Sequence, residues 1–274
     1  MGVQAINFAS FKSATGGGGF DPDAEPYINA LAALGIVDST INDAWNTYVI
    51  GAKATADAFW SEIIVECPLA GGTAAAHAIN AKNPGTYNGT MNGTGMTHNA
   101  NGVTGNGVTG LTYIDTNFNQ STDGAEDDEH VSVYSRTDFD GSSYLLGVAD
   151  SSGHGTTLRC RFAGLFQTKS QCSTQNSPAA TNSLGYLSIN RTASAGYRKR
   201  QNSTNVDVTQ SSDIAPVNAN FYILAQNRVG SGALSHAAFN ICWYGIGRGL
   251  TEAQDAYRQT LIEAFQDSLS RGVV

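Results

Sequence analysis

An antiparallel β-sandwich or jelly roll, led by helices and closed by a final helix, is the fold class this amino-acid sequence predicts. Three observations point there. Only 14% of the residues are charged while glycines number 31 and Asn, Thr and Ser are abundant, which suits short strands joined by tight turns better than a helical bundle. Between residues 68 and 250 the chain runs in short segments that alternate apolar and polar residues and are punctuated by Gly, Asn, Asp and Ser. On either side of that stretch the apolar period becomes that of a helix. A chain of 274 residues can bury one large core without help from disulfides or metals.

The elements follow in order. Residues 1–20 hold a short apolar stretch, "VQAINFASF", and then "KSATGGGG", whose glycines make a hinge. This reads as an arm, and Ile6, Phe8 and Phe11 are the candidate anchor residues, able to lie in a groove or to add a strand to a neighbour. Residues 21–67 read as a helical region. Tyr27, Ile28, Leu31 and Leu34 mark a short helix. Ile41, Ala44, Trp45, Tyr48, Val49, Ala52, Ala56, Phe59, Trp60 and Ile63 form a longer apolar stripe, with Gly51 as the place where it would divide in two. Trp45 and Trp60 sit on the buried-looking side and read as core.

Residues 68–250 supply the sandwich through "HVSVYSRT", "SYLLGVAD", "TLRCRFAG", "LGYLSINRT", "AGYRKRQN", "NFYILAQNR" and "AAFNICWYGIG". In residues 251–274, Thr251 and Gln254 have capping-box spacing, and Tyr257, Leu261 and Phe265 share a face that should pack on the body. The glycines at 245, 247 and 249 precede that helix as GxGxG, not GxGxxG, and no second strand with a ribose-binding acid follows. The stretch is a strand exit and a helix start, not a dinucleotide site.

The formal charge of −8 and the lack of a basic stripe argue against a nucleic-acid partner; "RKR" at 198–200 reads as a solvated strand face. No run has the length of a membrane span, so no membrane insertion is expected, and the first twenty residues lack a signal-peptide pattern. Cys67, Cys160, Cys172 and Cys242 are dispersed and read as buried free thiols. Histidines 77, 98, 130, 154 and 236 show no i,i+4 pair, so a zinc site would have to assemble from distant loops.

Catalytic patterns are missing too, and the chain is read as a non-enzyme. In "DGAEDDEHV", Glu126 and Asp128 could share a strand face, but His130 stands where a glycanase of this architecture needs its second glutamate, and the run reads as a solvated loop. "DSSGHG" at 150–155 is a polar turn, and there is no GxSxG elbow. No cofactor is called for beyond calcium, for which "RTDFDGSS", with Asp138 and Asp140 as candidate ligands, and "DTNFNQSTDG" at 115–124 offer hard oxygen atoms.

The order of the segments carries a resemblance. The lead "DPDAEPYI", the junction "CPLAGGTAAAHAINAKNP", the segment "MTHNANGVTGNGVTGLTYIDTNFN", the strand "HVSVYSRT" and the ending "WYGIGRGLTEAQDAYRQTLIEAFQDSLSR" together resemble a group of tailed-bacteriophage virion proteins. Their β part is similar to the concanavalin A-like, or laminin G-like, jelly roll. The resemblance spans about residues 21–271 and leaves out the arm. It implies a structural component of a tail, fibre, baseplate or capsid decoration, made in a host bacterial cytoplasm and residing in the virion. The implied partners are other virion proteins of tail, portal or capsid, with homo-oligomers on the particle and the arm as attachment device. The alternative is an adhesin that recognises a host surface glycan through the same sandwich, with Tyr113, Tyr134 and Tyr197 as candidate contacts because a sugar site needs flat rings beside polar groups. A glycanase comes third, on fold likeness alone.

Overall fold

The computed structural model describes residues 19–54 and 56–274; the arm with Ile6, Phe8 and Phe11 lies outside the described residues. The chain opens with α1 (Glu25–Ala33), α2 (Ser39–Lys53), β1 (Ile63–Cys67) and α3 (Ala74–His77). Then come β2 (Thr90–Asn92), β3 (Thr97–Asn99), β4 (Gly102–Thr104), α4 (Gly107–Gly110), β5 (Tyr113–Asn119), β6 (Glu129–Ser135) and β7 (Leu146–Ala149). Next are β8 (Gly155–Phe162), β9 (Leu165–Cys172), β10 (Gly185–Ala193), β11 (Gly196–Gln201) and β12 (Thr204–Val208). The last elements are β13 (Asn220–Ile223), β14 (Gln226–Arg228), β15 (Gly232–Leu234), β16 (Asn240–Gly247) and α5 (Glu252–Ser268).

The strands form two sheets of eight. Sheet A runs β12-β11-β10-β6-β16-β4-β3, with β1 also on β16; sheet B runs β15-β14-β7-β13-β5-β2, with β8 and β9 continuing from β7. All pairings but β14 with β7 are antiparallel. The predicted antiparallel sandwich with flanking helices is the fold. Alternation does the sorting: Val131 and Val133 of β6, Leu187 and Ile189 of β10, and Tyr244 and Ile246 of β16 face Ile114, Phe118, Leu146, Leu158, Phe221 and Ile223 of sheet B in one core.

The intervening residues of sheet A point the other way and meet the helices. Tyr134, Tyr186, Cys242 and Trp243 share a second core with Tyr27 and Leu31 of α1, Trp45, Tyr48 and Val49 of α2, and Leu261, Ile262 and Phe265 of α5. Trp45 stacks on Tyr48 at 5.3 Å, Tyr48 meets Trp243 edge-on at 4.9 Å, and Trp243 meets Phe265 at 5.1 Å. Each helix start has its local reason. Pro26 and Glu25 occupy the first turn of α1, and the Asp38 carboxylate accepts from Thr40 N and Ile41 N at the start of α2. At α5, Thr251 Oγ1 accepts from Gln254 N while Gln254 Oε1 accepts from Thr251 N, the reciprocal pair its sequence predicted.

Two sequence expectations change here. The long stripe is not helical to Ile63: α2 ends at Lys53, Phe59 N and Trp60 N both donate back to Ala52 O, and "IIVEC" becomes β1 beside β16. Phe59 and Trp60 still reach Tyr48, at 6.2 and 6.5 Å, so a turn keeps them on the face a longer helix would have given them. Gly51 does not divide α2 either. A Cβ there would lie 2.8 Å from Leu261 Cδ2, so the glycine lets α2 and α5 approach.

The "RKR" strand is the third correction, because only Arg198 is partly exposed, pairing with Asp207 at 3.0 Å. Lys199 turns into the sandwich against Phe166 O and Asn176 Oδ1, and Arg200 turns under α5 onto Asp255. Burial pushes the Lys199 ammonium down to about 7. Cys67, Cys172 and Cys242 are buried free thiols, as expected.

Candidate functional site

Charge is handled in opposite ways on the two outer faces. Beneath the helices, Arg258 Nη2 of α5 donates to both Glu66 oxygens of β1 at 2.9 and 2.6 Å, while its Nη1 donates to Ser132 Oγ and Tyr186 OH at 2.7 and 2.8 Å. Tyr48 OH donates to Glu66 as well. Tyr186 OH and Ser188 Oγ donate to Asp255, whose other side receives Arg200 Nε at 2.8 Å. Two carboxylates and two guanidiniums thus neutralise each other out of water. Gly245 makes this arrangement fit, since a Cβ there would fall on the Arg258 guanidinium and the Glu66 carboxylate. Burial drives Glu66 upward, and Arg258 and Tyr48 oppose that rise. These groups are closed to any substrate.

A third buried carboxylate, Glu129, lies between the sheets. Gln120 Nε2 and Thr156 Oγ1 donate to it at 2.5 and 2.6 Å, and burial raises its pKa. Sequence reading placed it in a solvated loop. Of the acidic residues in the run only Glu126 is exposed, and Asp128 Oδ1 accepts from Gly249 N at 2.7 Å. The run therefore closes a strand end and opens no cleft.

The candidate glycan tyrosines part company. Tyr134 is 0% exposed under α5, where its hydroxyl donates to Glu263 at 2.7 Å and accepts from Val273 N at 3.2 Å. Tyr197 is 4% exposed and faces the inter-sheet core, its hydroxyl donating to Thr168 O at 3.1 Å. Neither offers a ring to a ligand, because each is buried by the layer packed against it. Tyr113 stays at the surface on the outer side of sheet B.

That outer side is built from alternate residues of three neighbouring strands. In β5, Ile114, Thr116 and Phe118 are buried, whereas Tyr113, Asp115 and Asn117 point outward; in β13, Phe221 and Ile223 are buried and Asn220 and Tyr222 point outward. Register places Thr90 of β2 beside Asp115, and Asp115 beside Tyr222. Tyr113 and Tyr222 stack with centroids 4.4 Å apart and planes at 26°, and His236 backs Tyr113 at 5.9 Å. Burial, then Asp115 and Tyr113, push the Tyr222 phenol up to about 12. Asp115 Oδ1 accepts from Asn117 N and from Asn220 Nδ2, each at 2.9 Å, and Asn117 Nδ2 donates to Asn88 O and Thr90 Oγ1 at 2.7 and 3.0 Å. Two rings, a carboxylate and two amides thus share one solvent-facing patch. Tyr222 and Asn220 escaped the sequence reading, and Asn117 entered it only within the "DTNFNQSTDG" segment offered for calcium, though the alternation in "NFYI" already separates Tyr222 from its core neighbours.

Among the described residues no group of three or more His, Cys, Asp or Glu is placed to hold a metal ion. Asp138 and Asp140 flank the Arg161 guanidinium, each at 3.5 Å. Asp138 also accepts from Ser183 N and Asp140 from Gly164 N, so these two candidate calcium ligands hold a guanidinium and a loop. His77 and His98 do meet from distant segments, Nδ1 to Nδ1 at 3.1 Å, without a third ligand. The "DSSGHG" turn is held by Asp150 Oδ1, which accepts from Ser152 N and His154 N. A cavity of about 540 Å³ lies elsewhere, between the start of α2 and the end of α5, lined by Ile36, Ile41 and Leu269.

No protein-family model matches the chain, and no curated protein matches it. Solved structures do. A Trypanosoma rangeli sialidase superposes with a TM-score of 0.52 at 11% identity, covering 86% of this chain and 39% of the sialidase chain. A mutant of HCR/D superposes with a TM-score of 0.51 at 11% identity, covering 74% of this chain and 52% of the other. The botulinum neurotoxin serotype D binding domain gives 0.46 at 12% identity, covering 72% and 52%. The chain spans about half the length or less of these proteins, and the likeness to the first two is one of β-sandwich fold.

Proposed function

We propose that this chain is a non-enzymatic glycan-binding module that uses the outer face of sheet B. The observation that carries the reading is the stacked Tyr113–Tyr222 pair beside Asp115 and Asn220 on the outward positions of a sheet whose partner sheet is roofed by helices. Pyranose rings pack their C–H faces on aromatic side chains and direct hydroxyls to carboxylates and amides, so this patch has the required composition. Similarity in fold to a sialidase is compatible with a saccharide ligand. The non-enzymatic part is supported by the placement of the acids. Glu66, Glu129 and Asp255 are buried, and Glu126 and Asp128 belong to a strand-end loop, whereas most glycoside hydrolases need two carboxyls flanking one bond.

Where such a module would be displayed comes from the resemblance to tailed-phage virion proteins, which rests on the quoted segments. In that setting the chain is a tail or capsid appendage that presents sheet B to the host surface. The test is binding of the full chain to arrayed bacterial surface polysaccharides, together with an assay for new reducing ends. The reading expects binding that Tyr222→Ala abolishes, and no reducing ends. Binding unchanged by Tyr222→Ala and Tyr113→Ala would move the site elsewhere, and reducing-end release would make the protein an enzyme.

A further inference from the structure

The free polar atoms of the tyrosine patch are not a balanced set, and their imbalance selects a ligand class. Both hydrogen bonds that Asp115 receives fall on Oδ1, from Asn117 N and Asn220 Nδ2. Its Oδ2 has no protein donor among the described residues, and no cation lies within ion-pair distance of it. The Asn117 amide nitrogen is committed to Asn88 O and Thr90 Oγ1, and the Asn220 amide nitrogen to Asp115. Among the described residues Asn117 Oδ1 and Asn220 Oδ1 are left unengaged, as is Asp115 Oδ2. Apart from the rotatable tyrosine and threonine hydroxyls, the patch has turned its donors inward and its acceptors outward.

We propose that the site takes neutral, hydroxyl-rich glycans and rejects acidic ones. This rests on the glycan reading above and names its substrate class. A sugar's vicinal hydroxyls are donors, and two of them can meet Asp115 Oδ2 and the neighbouring amide oxygens, the carboxylate making charge-assisted bonds. A sialic acid or uronic acid carboxylate is an acceptor with a negative charge. It would meet a second carboxylate and outward amide oxygens, a desolvated like-charge contact with no cation to relieve it. Tyr222 supplies the apolar platform for either ligand, so it fixes affinity in general, whereas Asp115 fixes the choice.

The experiment measures saturation-transfer NMR and calorimetric affinities of the full chain for matched glycans: neutral gluco-, galacto- and manno-oligosaccharides, and the same chains capped with sialic or glucuronic acid. The proposal expects at least one neutral ligand to lose about tenfold or more in affinity when capped next to the contacted sugar, the scale of one charge-assisted hydrogen bond. Asp115→Asn, which keeps an oxygen for Asn117 N and so the local fold, should weaken the neutral ligand about tenfold and bring the two classes together. Equal or tighter binding of the acidic series to the unmodified protein overturns this inference and leaves the glycan reading standing. So does an Asp115→Asn protein that discriminates as before. Failure of every saccharide in both series removes the glycan reading itself.

Discussion

The outer face of sheet A and the outer face of sheet B are built by the same alternation and meet different fates. On sheet A the outward residues include Ser132, Tyr134, Tyr186, Ser188 and Trp243, all buried beneath α2 and α5. Two ion pairs lie there, Glu66 with Arg258 and Asp255 with Arg200, and tyrosine and serine hydroxyls donate to the same carboxylates. On sheet B the outward residues of β5 and β13 remain in reach of water, and Asp115 keeps one oxygen without a partner among the described residues. The difference is one of desolvation. A buried carboxylate with a spare lone pair costs several kcal/mol, about 1–3 even for a neutral group, so a covered face must spend its polar valences internally. An exposed face can leave some free, and free valences are what a ligand uses.

The largest effect that would break this contrast lies at its covered end. Arg258→Ala strips the partner from Glu66 and a donor from Tyr186 and Ser132, and should destabilise the protein by about 3–5 kcal/mol in urea unfolding. Replacing both members, Glu66→Leu with Arg258→Met, should recover most of that loss. A single variant as stable as the parent would mean that α5 does not roof sheet A as described.

A smaller loss is expected at the edge of the same roof. Thr251→Ala removes one half of the α5 capping box, and about 1 kcal/mol should go with it, read as a lower urea midpoint at unchanged slope.

Titration sharpens the comparison. Burial pushes Glu263 of α5 up from 4.5 to about 7, with Asp267 adding to the rise and the Tyr134 hydroxyl opposing it. Between those values the folded protein holds the proton more tightly than the unfolded chain, so this group's destabilising effect is absent below 4.5, grows as pH rises and is complete above 7. Glu263→Gln cannot ionise. Its stability relative to the parent should be highest at neutral pH and decline towards pH 5, and a difference that does not vary with pH would show that Glu263 titrates normally.

The smallest stability effects belong to the open face. Asp115→Asn should shift unfolding by no more than about 0.5 kcal/mol, as for ordinary surface changes, while altering saccharide selectivity. A loss comparable to that of Arg258→Ala would place Asp115 among the structural carboxylates and end the distinction between the two faces.

Local pattern reached a good part of this molecule. The alternation in "HVSVYS", "GYLSIN" and "FNICWYGIG" gives β6, β10 and β16, and Thr251 with Gln254 gives the start of α5. The same reasoning failed at "IIVEC", where a helical stripe continued on paper into what is β1. Apolar residues at 59, 60 and 63 satisfy either a helix or a turn followed by a strand, and pairing with β16, far along the chain, decided between them. It also took Arg200 for a solvated residue, and nothing marked Asp255 and Arg258 of α5 as buried, since charge near the surface of a sequence pattern says nothing about partners elsewhere.

By itself, then, the sequence determined which residues share a face, because side-chain direction follows from backbone period within a few residues. It could not say which face would be roofed. Tyr113, Tyr134 and Tyr197 occupy similar strand contexts, yet Tyr134 ended under a helix, Tyr197 between the sheets and Tyr113 beside Tyr222 in the open. The tertiary structure made that choice through contacts between residues far apart in the chain, such as Glu66 with Arg258, 192 positions away, and Asp115 with Asn220, 105 positions away. Burial and partner charges are properties of the packed layers, and they turned one of three equivalent tyrosines into a candidate ligand platform.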